Sequence, residues 1–478
     1  MKKKVVSKKP KIIKPKGKAR SDPIRLRQKR DMPDVELGLT VDLTFHFSAG
    51  HPTRSDDLNI KGSKPFNETP VKDHIRLFEH KVKECMKLCD FSNPRKDQKA
   101  KATKTQLLKH LDSCFTQPDL LKNITPQCVK ILIDMISVNI FRRLPINPIR
   151  GPLDAHDSVI DDGWPHISLA YNCLFDSFAC SYTGNFITQS FIYKLIENGT
   201  SLFDEERIRV GEILKAIYYR YMELRAGMRK SLGFYFKMHR CSPELLQFYG
   251  ICIDGFNSPL KAEHQKFFNE SLNPLHSHKD LITFHQSLIN CISKLISKQG
   301  SLISETFKYM QKHWPVSERA KQIAFLNEVE ELLMKHQLEL NQENVKSAFM
   351  VIQYGAYNDN SDVVDKCIDI LTNPKLVEMM IKYSNAIFPI IVESLLKSAK
   401  LHWDPTITGN AMLALNAINE MDPEVFRKVN ESRMQNSKTK KLTLSTWNSK
   451  WLKILDSAKV FDPEISNLNF DSIRKPVT

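Results

Sequence analysis

The chain is 478 residues long, 41% hydrophobic, with 16 glycines and a formal charge of +16. That length holds two or three ordinary domains or one extended repeat array with a continuous core. So few glycines, about half the usual share, argue against sandwiches, barrels and doubly wound sheets, which need many glycine turns, and favour an all-α architecture.

The charge is concentrated at one end. Residues 1–30 carry ten Lys and four Arg against the single acid Asp22, a balance of +13 that leaves +3 for the rest. Residues 1–35 read as a disordered basic tail, because Lys, Pro and Arg with few large apolar groups cannot offset the entropy of ordering. Lys2-Lys3-Lys4 and Lys14, Lys16 and Lys18 resemble a nuclear-import signal or a polyanion contact; a solvated, solubilising extension is an equal reading. Nucleic acid is expected to bind, if anywhere, through this tail. No apolar stretch follows the first charges, so no secretory leader is expected. The most apolar segment, Cys128 to Phe141, is interrupted by Lys130 and Asp134 and is too short to span a bilayer. The ten cysteines are spread singly, and Cys85 and Cys89 lack the second pair that a zinc site needs. They read as reduced and buried in an intracellular protein, cytoplasmic or nuclear.

Residues 36–72 are mostly polar and punctuated by proline, and read as a poorly ordered approach segment. Its alternating run Leu39, Val41, Leu43 and Phe45 suits an extended strand laid on the body. Helical periodicity begins near Asp73, with Ile75, Phe78, Val82, Cys85 and Met86 at three- and four-residue spacing. Ile124 to Leu144 is apolar nearly all round, which predicts a central buried helix. Trp164 to Thr183 and Ile187 to Ile196 make the next pair.

Asp204-Glu205-Glu206 opens a long helix predicted to end near Lys230, where Arg225, Arg229 and Lys230 would suit the negative end of the dipole. Ser242-Pro243-Glu244 is a capped start with Pro at the first helical position, and Asn257-Ser258-Pro259 looks like the same device. Further helices are predicted at about 278–297, 301–313, 318–336, 341–355, 361–371, 374–384, 386–400, 406–420 and 422–434. Pro389 is placed near a helix start, where its missing donor costs nothing. Trp164, Trp314 and Trp403 mark junctions and are expected to be buried there. Strong breakers with short joints between them favour antiparallel pairs stacked as an α-solenoid, with an irregular bundle as the rival.

No phosphate-binding glycine loop, His-Glu-x-x-His, Gly-x-Ser-x-Gly or kinase signature occurs. No catalytic residue, metal or cofactor is therefore expected. His276, His278 and His285 cluster near a turn without a Cys or carboxylate at ligand spacing, and read as structural or solvated. Glu328, Glu330 and Glu331 read as a solvated acidic face, with docking as its functional alternative.

Several runs together resemble the B-prime family of regulatory subunits of protein phosphatase 2A. They include Phe141-Arg142-Arg143-Leu144-Pro145, Trp164-Pro165-His166 and Leu224-Arg225-Ala226 with Arg229-Lys230. Gly255-Phe256, Pro259-Leu260-Lys261 and Glu263-His264 follow, then Leu272 to His276, Trp314-Pro315, Phe325 to Glu331 and His402-Trp403. They stand in family order over residues 73–457, leaving 458–478 as a flexible C-terminal tail.

The resemblance implies a curved stack of eight HEAT-like helix pairs that is not itself an enzyme. It implies docking on the scaffold subunit and the catalytic subunit, and a groove that takes short acidic or phosphorylated peptides of the pattern Leu-x-x-Ile-x-Glu. Tyr218, Arg225, Phe248, Cys252, Lys261 and His264 fall on the groove positions. Two departures stand out. The family's His-Arg before the groove tyrosine is here Lys215-Ala216, and two isoleucines flooring its apolar pocket are here Phe248 and Cys252. The larger Phe248 is expected to close that pocket and alter the motif. Two other functions remain open at this level: an adaptor that has lost the phosphatase, and a nucleic-acid-associated protein acting through the tail.

Overall fold

The computed structural model describes residues 45–47, 58–144 and 159–461. The tail lysines, Leu39, Val41, Leu43, Pro145 and the last 17 residues lie outside the described residues. Four helices open the array: α1 (His74–Cys85), α2 (Gln98–Thr116), α3 (Pro118–Leu121) and α4 (Pro126–Ile140). The middle holds α5 (Trp164–Ser177), α6 (Gln189–Asn198), α7 (Asp204–Arg220), α8 (Arg225–Lys237), α9 (Pro243–Asp254) and α10 (Ala262–Phe267). Next come α11 (Leu281–Lys298), α12 (Leu302–Lys312), α13 (Arg319–Lys335), α14 (Gln342–Ala356) and α15 (Ser361–Thr372). The array closes with α16 (Pro374–Lys382), α17 (Ser384–Leu401), α18 (Pro405–Met421) and α19 (Pro423–Phe461). Among the described residues none of these helices alone is long and apolar enough to cross a membrane.

The helices stack in two layers. In one, α5, α7, α9, α11, α13, α15 and α18 each pack on the next. In the other the succession is α6, α8, the turns after α10, then α12, α14, α17 and α19. One core runs from Ile60 to Val425 without a break. That is the solenoid arrangement, in which every pair buries its apolar stripe against its neighbours.

Local chemistry sets many helix starts. Thr125, Ser242, Asn373 and Asp404 each cap a helix whose first residue is proline, accepting from Cys128, Leu245, Lys375 and Thr406 amides respectively. Asn341 and Asn344 satisfy each other's backbone in a reciprocal box.

Several expectations change. The predicted helix from Asp204 to Lys230 breaks at Tyr221, whose extended backbone lets its ring pack on Phe178 at 6.1 Å. A side chain at Gly184 would collide with that ring. No proline or glycine marks the break, because tertiary packing makes it. Asn257-Ser258-Pro259 is a turn rather than a cap, and α10 begins at Ala262. Pro389 lies inside α17, which starts at Ser384, so it does remove one ladder bond.

The approach segment is packed where described. Phe45–Phe47 pairs in parallel with Val159–Asp161, and Ile60 and Phe66 are buried. The buried Lys81 ammonium donates to Ser63 Oγ at 2.9 Å and to the Lys64 carbonyl at 2.7 Å. These apolar contacts are too isolated to show a period. The last helix is also far longer than residues 422–434 and passes residue 458.

Arg142 ties the first third together. Its guanidinium donates to Glu206 Oε1 at 2.7 Å and Oε2 at 2.9 Å, and also to the Asp161 carboxylate. Tyr171 donates to the same Glu206 at 2.9 Å, and Asn198 bridges Tyr171 to the Ile140 carbonyl. All three charged groups are buried, so Glu206 is a core residue and not merely a dipole partner. Replacing Arg142 by Leu leaves two buried carboxylates without their cation, and is expected to cost about 3–5 kcal/mol. Urea unfolding measures it; a loss below about 1 kcal/mol would count against this role.

The tryptophans divide. Trp164 is partly buried against Phe203 at 5.0 Å, and Trp314 against Tyr354 at 5.9 Å. Trp403, expected to be buried, is 71% exposed and is held by an Nε1 bond of 2.7 Å to the Asp359 carbonyl. Trp164→Ala is expected to cost about 3 kcal/mol, Trp403→Ala only about 1 kcal/mol. Thermal unfolding of both variants checks the order.

Candidate peptide-binding site

Tyr218 lies in the last turn of α7, and its ring meets the edge of Phe248 on α9 at 5.7 Å. Phe248 and Cys252, one turn apart on α9, are fully buried behind it, and Tyr218 itself is 6% exposed. Burial raises the Tyr218 phenol, and the neighbouring Cys252 adds to that. Burial likewise pushes the Cys252 thiol up to about 12. The two candidate floor residues are thus covered groups that prop the tyrosine from below.

Arg225 opens α8. Its Nε donates to the Tyr218 carbonyl at 2.7 Å, and its guanidinium lies 4.8 Å from the Tyr218 ring centre. Seven residues apart, the two would share one face of a continuous helix, but they meet for a different reason. They belong to separate helices joined by a short turn, not to one helical face. Arg225 and Arg229 therefore sit at the positive end of α8, the reverse of the dipole arrangement expected from a continuous helix. Two cations at the start of α8 favour an anionic ligand.

Arg229 and Phe256, which the sequence offers only within the matching runs, complete the arrangement. Arg229 lies close enough to the Tyr218 phenol to oppose the rise in its pKa, and 5.8 Å from the Phe256 ring centre. Phe256 stacks flat on His264 at 3.7 Å. The i, i+4 spacing of Arg225 and Arg229 was the available signal for the first; Phe256 carried none, because its partner lies beyond a loop. His264 is buried, with neither ring nitrogen hydrogen-bonded; Glu263 Oε1 approaches its Nε2 only to 3.3 Å. Burial lowers its basicity, and Arg229 and Lys261 oppose its protonation against the pull of Glu263. Lys261 is exposed beside it. The result is a strip of aromatic rings edged by Arg225, Arg229 and Lys261, with an imidazole whose hydrogen-bonding capacity is unused. It can hold an acidic or phosphorylated chain by charge-assisted bonds, and contains nothing that could transform one.

The acidic face is placed differently from expectation. Glu330 is paired with Lys366 at 2.6 Å. Glu328 is fully buried and accepts from His276 at 3.0 Å and His285 at 2.8 Å, while His278 bonds the His239 carbonyl. His276 Nδ1 also bonds the Asn273 carbonyl at 2.7 Å; with both nitrogens facing acceptors, the site favours the charged imidazolium. The carboxylate absent at ligand spacing in the sequence arrives from α13, more than forty residues away. It forms an ion pair, and among the described residues no three such side chains are arranged so as to hold a metal ion.

Burial alone would raise the Glu328 carboxyl, but His276 and His285 overcome it and hold it at about 2. Burial would lower His276, and Glu328 reverses that and raises it. An unfolded glutamate titrates near ~4.3 and a histidine near ~6.5. The Glu328 contribution is present above the first value and is lost as pH falls towards about 2. The His276 contribution is present below the second and fades as pH rises through its raised folded value. Glu328→Gln should therefore lose most stability between about pH 4.5 and 6.5 and less at pH 9. Denaturant midpoints at pH 5.5 and 9 measure this, and equal losses would contradict the ion pair.

Known proteins place the chain. Residues 63–458 match the family model described as protein phosphatase 2A regulatory B subunit (B56 family). The 57 kDa B' beta isoform of the serine/threonine protein phosphatase 2A regulatory subunit from Arabidopsis thaliana is 30% identical over 408 residues, covering 80% of this chain and 81% of that one. The human 56 kDa regulatory subunit alpha isoform is 29% identical over 418 residues, covering 83% and 84%. The delta isoform from Oryctolagus cuniculus is 27% identical over 416 residues, covering 82% and 70%. With a match across most of its helical array and no catalytic group in its candidate site, the chain belongs to the B56 family of non-catalytic regulatory subunits of protein phosphatase 2A.

Proposed function

We propose that this regulatory subunit docks on the scaffold and catalytic subunits of the phosphatase and recruits substrates through an acidic or phosphorylated peptide held at the strip described above. The observation that carries the recruitment reading is the pairing of Arg225 and Arg229, in the first turn of α8, with the aromatic strip that ends in His264, whose ring nitrogens make no hydrogen bond. Lys261 extends the same positive edge. A substrate tethered here has its phosphosites at raised effective concentration near the partner's active site, so weak binding suffices for selective dephosphorylation. The filled floor at Phe248 and Cys252 supports a motif that relies on its acid more than on a deep apolar anchor under Tyr218. The lysines of the N-terminal tail are proposed to serve nuclear import.

The test is reconstitution of the full chain with purified scaffold and catalytic subunits, read by size-exclusion chromatography and by binding of a fluorescent phosphopeptide. Co-elution as a one-to-one-to-one complex is expected, with peptide binding lost in Arg225→Glu while co-elution and thermal unfolding stay unchanged. A folded protein that does not join the complex would overturn the subunit assignment. Unchanged peptide binding in the variant would overturn the site.

A further inference from the structure

A second cavity lies on the other side of α7 from Tyr218. It has a volume of about 390 Å³ and is lined by Phe175, Phe178, Ala216, Tyr219 and Arg220. Phe175 and Phe178 close the end of α5, ring edge to ring face at 6.2 Å. Ala216, Tyr219 and Arg220 are spaced three and four apart, on the side of α7 that faces α5. Tyr219 is 65% exposed and Phe175 37% exposed, an unusual degree of solvation for two aromatic rings flanking one hollow. The α5 side and Arg220 are held in place. Arg220 donates to the Phe178 carbonyl, Arg209 lies 4.8 Å from the Phe175 ring centre, and Phe178 is backed by Tyr221. The hollow exists because position 216 is alanine; any long side chain there would occupy it.

We infer that this cavity is a second subsite for the same peptide, taking a large apolar side chain (Leu, Ile, Phe or Trp) on the far side of α7 from the acid-binding strip. The inference rests on the peptide-recruitment reading above. Three observations choose a peptide side chain as the occupant. The cavity and the strip flank one helix, so one extended chain crossing α7 reaches both. The cavity walls are aromatic, whereas the floor under Tyr218 is already filled by the protein's own Phe248. Its rim carries Arg220, which suits the acidic character of a chain already held by Arg225 and Arg229.

Geometry also sets the spacing. A helix with its side chains is about 10 Å across, and an extended chain advances about 3.3 Å per residue. The apolar residue should therefore stand about three to four positions from the acid that meets Arg225.

The experiment uses the full chain and a library of twelve-residue peptides with one fixed Glu, each other position randomised, in plain and phosphoserine forms. In the wild type, Leu, Ile, Phe or Trp should be enriched three to four positions from the Glu. Ala216→Arg, which fills the cavity, and Tyr219→Ala, which removes an exposed wall, should each reduce that enrichment about tenfold, as expected for losing one buried apolar side chain. Dependence on the fixed Glu should persist in both. Acid-dependent binding without apolar enrichment, or enrichment unmoved by both variants, would overturn this inference and leave the strip intact. No binding of any library member to the wild type would overturn the recruitment reading itself, and this subsite with it. Tyr219 is exposed and Ala216 half-buried, and unchanged thermal unfolding of the variants separates lost recognition from lost folding.

Discussion

Every helix pair in this chain presents more apolar surface than it can cover alone. α9 shows the consequence: Phe248 meets Tyr218 of α7 on one side, while on the other the Cys291 thiol of α11 donates to the Leu246 carbonyl at 3.1 Å. Each pair completes its core with groups from the pair before and the pair after. Stability is therefore a nearest-neighbour property, and the ends of the array need special covering. At the first end that cover is the packed approach segment, with Ile60 and Phe66 buried in the core. Polar locks are spaced along the stack where helix junctions would otherwise slide. Arg142 holds Glu206 and Asp161 in the first third, and Glu328 gathers two histidines in the middle.

The same constraint creates binding surface. A turn between stacked helices must satisfy its own backbone and leaves side chains at the rim. The short joint from α7 to α8 delivers Tyr218 to one wall and Arg225 to the other within a few residues. Because α8 starts there, its first-turn amides and two arginines point the same electrostatic way. Rigid helices hold the cations apart from each other's counter-ions: Arg229 reaches Glu263 only at 3.9 Å, across a partly exposed rim. Positive potential is thus available to a ligand rather than neutralised internally.

Burial decides what kind of ligand suits each position. Under Tyr218 the protein fills its own pocket with Phe248, so affinity there comes from charge and ring stacking. Across α7 an alanine leaves aromatic walls uncovered. Recognition built from an anionic contact and an apolar contact on opposite sides of a helix reads spacing as well as composition. That suits a non-catalytic subunit, whose contribution is the choice of what reaches its partner's active site.

Helix periodicity, proline and cap residues and the scarcity of glycine determined the all-α stack and most helix boundaries between residues 278 and 421; Tyr218, Arg225, Lys261 and His264 were picked out only by the family resemblance. Helix boundaries follow from local properties: a cap or an apolar stripe acts within a few residues of itself. The break at Tyr221 was decided only in three dimensions, because Phe178 and Gly184, which receive its ring, come from another repeat. The burial of Glu328 and Glu206 was decided there too. A carboxylate on a helix looks solvated until a histidine or arginine from a distant helix is brought within hydrogen-bonding reach. Trp403 shows the converse, a residue of core type left outside, held by a backbone carbonyl and a stacked His402 ring rather than by apolar neighbours. The order of residues dictates which groups are available, and the packing of neighbours dictates which of them meet water, since desolvation depends on what arrives from elsewhere in the chain.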